Sequence, residues 1–235
     1  MDAGPLQIGG LTSMTTIDFP GRLAAVVFCQ GCPWRCGYCQ NAHLIPREAQ
    51  TPVDWGEVLA FLERRRGLLD GVVFSGGEPT LQKGLPDAMR TVRAMGYEIG
   101  LHTAGPYPGR LAQVLPLVDW VGFDIKAPAD DYEAVTGVPE SATKALESAS
   151  LLLESGVSYE FRTTVHPELL DTDSLRGLAR DLAGMGVESY VLQECIYSHC
   201  LDESLRPPAR TVSIPEALRT DLGRLFPQFS VRTAA

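Results

Sequence analysis

No apolar run in this sequence approaches the ~20 residues of a membrane span. Basic charge is also scarce: 20 Lys+Arg stand against 29 Asp+Glu, for a net charge of -9. A chain this acidic has little with which to neutralise a phosphate backbone, so neither a membrane protein nor a nucleic-acid binder is expected. The start, MDAGPLQIGG, lacks a basic stretch followed by an apolar one, so a cytoplasmic setting is expected. Cysteines number only 6, but Cys29, Cys32, Cys36 and Cys39 are bunched, with Cys195 and Cys200 far downstream. In a reducing compartment bunched thiols read as metal ligands or reactive groups before disulfides.

The 235 residues suit one domain. Residues 1–22 read as an N-terminal extension, about 23–195 as the core and about 196–235 as a tail. Short apolar runs at 23–28, 71–74, 97–101, 118–125, 159–165 and 188–192 have the pattern of strands buried on both faces. Helical candidates fall at 54–66, 81–95, 111–115, 143–155, 172–185 and 214–225. In the second, Leu85, Ala88, Met89, Val92 and Met95 form one apolar stripe. Gly67, Gly96, Gly156 and Gly186 stand where helices give way to strands, as left-handed helix ends require. Alternation of this kind predicts an α/β fold with a mainly parallel sheet. Six units predict a partial (β/α)6 TIM-like barrel, with a doubly wound open sheet as the competing layout.

In either layout ligands gather at the carboxyl ends of the strands. That rule brings together Cys29, the segment 75–80, the segment 102–105, Asp124 with Lys126, the segment 162–166, and Gln193 to Cys195.

The richest segment runs Cys29-Gln-Gly-Cys32-Pro-Trp-Arg-Cys36-Gly-Tyr-Cys39. A tight loop can set three soft thiolates around one face of an iron–sulfur cube and leave one iron open. Gly31 and Gly37 let the backbone turn and approach closely. The alternatives are a zinc knuckle with Cys29 as fourth ligand, or unligated thiols. Cys29 ends a strand and reads as a small buried hydrophobe.

Cys32, Cys36 and Cys39, with Tyr38 before the last, follow the first apolar strand in the pattern C-x3-C-x2-C. The chain thereby resembles the radical S-adenosylmethionine (SAM) superfamily. The resemblance implies a 4Fe–4S cluster on Cys32, Cys36 and Cys39, with SAM chelating the open iron. It further implies reductive cleavage of SAM to a 5′-deoxyadenosyl radical.

Ser75-Gly76-Gly77-Glu78-Pro79-Thr80 reads alone as a strand-to-helix turn or as a loop whose freed backbone and carboxylate meet a ligand ammonium. Behind the cysteine loop it is similar to the superfamily's loop for the methionine amino group, which makes Gly76, Gly77 and Glu78 cofactor-binding candidates. Asp124 and Lys126 leave one face of a strand, as a surface ion pair or a ligand contact. Asp124-Ile125-Lys126 resembles a string of glycyl-radical activating enzymes in which the lysine contacts SAM and the aspartate orders the site. His102-Thr103-Ala104-Gly105 resembles the Thr-Asn-Gly turn, with Ala104 replacing the asparagine and Thr103 as a binding candidate. His102 stands where some activating enzymes carry an aspartate for a monovalent cation, a role to which histidine is poorly suited. Arg162 offers a fork of donors for a carboxylate, with Glu160 as an alternative structural partner and His166 ranked below it. Gln193 could reach the ribose or adenine edge. Cys195, His199 and Cys200 read as a redox-inert loop, or with Cys29 as a second soft-metal group. No insertion with several cysteines is present to house further clusters.

Residues 8–11 and 16–22 lead into the cysteine loop, and this arrangement resembles activating proteins for anaerobic ribonucleoside-triphosphate reductase. Gln40 departs from it, where histidine is usual. The resemblance spans roughly 8 to 195. It implies abstraction of one hydrogen from a glycine of a protein substrate, with flavodoxin or ferredoxin as electron donor. Small-molecule chemistry such as that of 7-carboxy-7-deazaguanine synthase is the alternative inside the superfamily; a non-enzymatic metal-binding module is the one outside it.

Overall fold

A computed structural model describes residues 6–206 and 214–233. Along the chain lie β1 (Ile8–Thr15), β2 (Ala24–Cys29), α1 (Trp55–Glu63), β3 (Gly71–Gly76), α2 (Leu85–Ala94), β4 (Glu98–Thr103), α3 (Pro108–Val114) and β5 (Trp120–Asp124). There follow α4 (Tyr132–Thr136), α5 (Ser141–Ser155), β6 (Ser158–Val165), α6 (Thr172–Gly184), β7 (Ser189–Glu194), α7 (Glu216–Gly223) and β8 (Gln228–Arg232).

Strand order in the sheet is sequence order from β1 to β8. β1 is antiparallel to β2, and every later pairing is parallel. The outer strands β1 and β8 are not neighbours, so the sheet stays open as a partial barrel. The six strands read from the sequence are β2 to β7. The segments expected as extension and tail add one strand at each edge. β1 escapes an apolar-run criterion because IGGLTSMT is half polar and mostly exposed or half-buried; β8 is short and only half-buried. α4, five residues long, is too short for helical periodicity to show.

Within the parallel strands, alternation divides each buried run between two cores. Ala25, Val27, Val72, Phe74, Val121 and Phe123 face the helices, in the main core. Ala24, Val26, Val73 and Trp120 face the barrel interior, where Phe19 stacks on Trp120 with ring centroids 5.8 Å apart. The helices complete the outer layer. α2 buries Leu85, Ala88, Met89 and Val92, with Met95 half-buried beyond its end. Asp54 and Asp171 cap α1 and α6 by accepting from backbone N–H groups, each cap being worth ~1 kcal/mol. Gly67, Gly96, Gly156 and Gly186 all have positive φ at the helix-to-strand turns.

Candidate active site

The alternation that fills the outer core also points Ser75, His102, Asp124, Arg162 and Gln193 inward. With the cysteine loop they line one cavity of ≈ 340 Å³ at the carboxyl ends of the strands. Cys32, Cys36, Cys39, Tyr38, Gly76, Gly77, Glu78, Thr103 and Lys126 line it too. Asp18, Gln40 and Asn41, none of them among the expected binding residues, also reach it. Asp18 comes from the turn after β1, whose only signal was its place in the motif 16–22.

The cysteine loop is held by backbone bonds on several sides. Gly31 N donates to Leu44 O at 2.7 Å, Cys32 N to Ile45 O at 3.1 Å and Arg35 N to Thr136 O at 2.9 Å. Gln30 is buried and its Nε2 donates to His43 O and Pro46 O. Gly31 has φ +94, so the expected sharp turn is there. Gly37 serves close approach instead: a Cβ on it would lie 3.0 Å from Leu205 Cδ1.

All six cysteines are free. Cys32, Cys36 and Cys39 face the cavity, whereas Cys29 points into the outer core, fully buried. Burial pushes the Cys32 thiol up to about 12, and raises that of Cys36. Among the described residues no three Cys, His, Asp or Glu side chains converge as a single-ion site. Three soft thiols lining one cavity form a donor set that fits an iron–sulfur group. Tyr38 is buried beside them with its hydroxyl unpartnered, and Lys126 Nζ stands 5.8 Å from its ring centroid.

The glycine–glutamate loop is bonded closely into the fold. Gly77 N donates to Cys29 O at 2.9 Å and Glu78 N to Gly31 O at 2.8 Å. These backbone donors hold the cysteine loop. Glu78 is 2% exposed. Its Oε1 accepts from Thr80 N, Thr80 Oγ1 and Thr103 Oγ1, and its Oε2 from Ala104 N at 3.0 Å. The carboxylate therefore ties the ends of β3 and β4 together. Burial raises its pKa against the lowering effect of these bonds. The Thr103 hydroxyl is committed to the same knot and also accepts from Gly105 N.

Asp124 is flanked by two cations: Lys126 Nζ at 3.0 Å from Oδ2 and Arg162 Nε at 2.9 Å from Oδ1. Glu160 is not the partner of Arg162; it pairs with Arg232 at 2.8 Å. Arg162 fits because position 122 is glycine, where a Cβ would lie 2.7 Å from the guanidinium carbon. Burial opposes charge on Asp124, yet Arg162 and Lys126 hold it well below the usual carboxylate range. Burial also opposes charge on Lys126, yet Asp124 raises it well above the usual range. Two cations on one anion leave this wall with a surplus positive charge, suited to a ligand carboxylate.

His102 is hydrogen-bonded. Its Nε2 donates to Asp18 O at 2.8 Å, since a carbonyl only accepts, and Nδ1 therefore accepts from Ser75 Oγ at 3.2 Å. Burial and the Arg162 charge push it down to about 3, so the ring is neutral. His166 lies outside the cavity, with Nε2 donating to Leu205 O at 3.0 Å. His199 is exposed. No second soft-metal group gathers Cys29, Cys195, His199 and Cys200 among the described residues.

The model of the Radical SAM superfamily matches residues 26–181. A protein named as a glycyl-radical enzyme activating enzyme of Methanocaldococcus jannaschii is 27% identical over 85% of this chain and 84% of its own length. The pyruvate formate-lyase-activating enzyme of Clostridium pasteurianum is 33% identical over 74% of each chain. Among solved structures, QueE from Escherichia coli superposes with a TM-score of 0.56 over 97% of this chain and 94% of that one, at 16% identity. No helix of the described residues is long and apolar enough to cross a membrane.

Proposed function

Because the chain belongs to the radical SAM superfamily, as an enzyme of its glycyl-radical-enzyme activating group, we propose that it generates a glycyl radical on an anaerobic ribonucleoside-triphosphate reductase or a related enzyme. The family implies a 4Fe–4S cluster and SAM. In this reading residues 1–235 act as one cytoplasmic domain that receives its electron from a flavodoxin or ferredoxin.

The observation that carries the reading is the shared cavity of the three loop thiols and the Asp124–Lys126–Arg162 group. Cys32, Cys36 and Cys39 would hold the cluster. When bound, cluster and SAM supply a one-electron cleavage that delivers a 5′-deoxyadenosyl radical for hydrogen abstraction. Lys126 would donate to the SAM carboxylate, while Asp124 fixes the lysine's position and Arg162 fixes Asp124. Gly76, Gly77, Glu78 and Thr103 would shape the wall that receives the methionine end. Glu78 and Thr103 do this as a strut, since their polar atoms bond to one another and to Thr80 and Ala104. Gln193 would bond the ribose or adenine edge, and Tyr38 would exclude water beside the cluster.

Anaerobic incubation with dithionite, SAM and the candidate reductase is expected to give a glycyl doublet in electron paramagnetic resonance. A doublet that persists in Cys36→Ala would defeat the assignment.

A further inference from the structure

Cys195 and Cys200 follow β7 and flank the single turn Tyr197–His199. Their Sγ atoms lie 3.6 Å apart, and both side chains are buried. The pair rests against the cysteine loop. Gln40, the residue after Cys39, donates from Nε2 to Cys195 Sγ at 3.8 Å and lines the cavity. Further along the same segment, Asp202 N donates to Gly37 O at 2.9 Å. Leu205 lies beside Gly37, and its carbonyl accepts from His166. One end of this segment thus carries the two thiols while the other is fastened to the cysteine loop.

We propose that Cys195 and Cys200 are a covalent modification site, a dithiol that small disulfides oxidise to an intrachain bridge, with closure withdrawing the sulfur acceptor from Gln40. A disulfide needs a separation of about 2.05 Å, so the sulfurs close by roughly 1.5 Å. Both cysteines are buried, and the residues Ser198 and His199 between them are exposed, so Cys200 directly follows a solvent-facing residue.

The exchange balances without any other redox group. One cysteine sulfur attacks the small disulfide, forming a mixed disulfide and releasing one small thiol. The second cysteine sulfur displaces the second small thiol and forms the Cys195–Cys200 bond. Two electrons pass to the reagent, and the two cysteine protons end on the released thiols. Burial pushes the Cys195 thiol up to about 12, so the thiolate is scarce and closure runs over minutes to hours.

The test uses the full chain with its reconstituted cluster, held anaerobically with oxidised glutathione and then alkylated and digested with trypsin. One peptide contains both cysteines and no other. After exposure it is expected to escape alkylation and to weigh two hydrogen atoms less than the free dithiol peptide, and to regain them with dithiothreitol. Loss of the Gln40 acceptor is expected to speed chelator extraction of iron about 2- to 10-fold, equivalent to one hydrogen bond of about 0.5–1.5 kcal/mol. Cys195→Ser is expected to show no glutathione-dependent change in extraction, and circular dichroism checks its fold. Two unmodified thiols after prolonged exposure would overturn the proposal, as would glutathione halted on one cysteine. Bridge formation with unchanged extraction would overturn the link to Gln40. Neither readout needs radical activity, so failure here is separate from failure of the proposed function.

Discussion

A β-carbon on Gly77 would lie 2.3 Å from the carbonyl oxygen of Gly31. The two residues belong to loops after different strands, and the second loop is thereby fastened to the cysteine loop along its backbone. Gly77→Ala is expected to cost ~1–3 kcal/mol through overpacking and to push the cysteine loop away. Iron content and absorbance near 400 nm after reconstitution should fall by most of their value. Full iron loading in this variant would show that the contact does not position the thiols.

Glu78→Gln tests whether the carboxylate is a strut. Its two oxygens accept from four donors, and an amide would turn an N–H₂ group toward one set of them. The protein without cluster or SAM is expected to lose ~1–3 kcal/mol, read from a denaturant midpoint. Unchanged stability together with weakened SAM binding would mean instead that the carboxylate serves the ligand.

Asp124→Asn removes the anion between Lys126 and Arg162. Two neighbouring cations are left without compensation, with a loss of at most about 3 kcal/mol because Asp124 faces the cavity. SAM affinity measured by equilibrium dialysis is expected to fall as the released lysine shifts. Affinity at the level of the unaltered protein would separate Asp124 from the positioning of Lys126.

His102 gives a pH dependence whose sign follows from its neutral state. Its folded value of about 3 lies below the usual 6.5, so the unfolded chain takes up a proton before the folded one does. Stability from this group is whole above the unfolded value and is lost as pH falls from there toward the folded one, at up to ~1.4 kcal/mol per pH unit. Thermal melts from pH 7 to pH 5 should show a steeper decline in the unaltered protein than in His102→Asn. Parallel declines would remove His102 as the cause.

The parallel core and the position of the cavity were legible because fully buried strands leave unbroken apolar runs, and because their polar ends stand out. The same alternation explains why Cys29, one strand position out of phase with the cavity, is core. What the sequence hid was the use of each polar group. Gly77 and Glu78 have the composition of a ligand loop, and their N–H groups and the Glu78 carboxylate bond to Cys29, Gly31, Thr80, Thr103 and Ala104, partners set only by tertiary packing. The edge strands β1 and β8 were hidden for a different reason: a half-polar edge has no apolar signature. Asp18 likewise enters the barrel floor through Phe19, whose partner Trp120 lies far away in sequence.

The most direct measurement is the formation of 5′-deoxyadenosine from SAM by the reconstituted, dithionite-reduced protein, followed by chromatography. Unaltered protein and Cys29→Ala should both form it, since Cys29 lies in the outer core, while Cys36→Ala should form none. Product from Cys36→Ala, or none from the unaltered protein with full iron loading, would contradict three cavity thiols as the holders of the cluster.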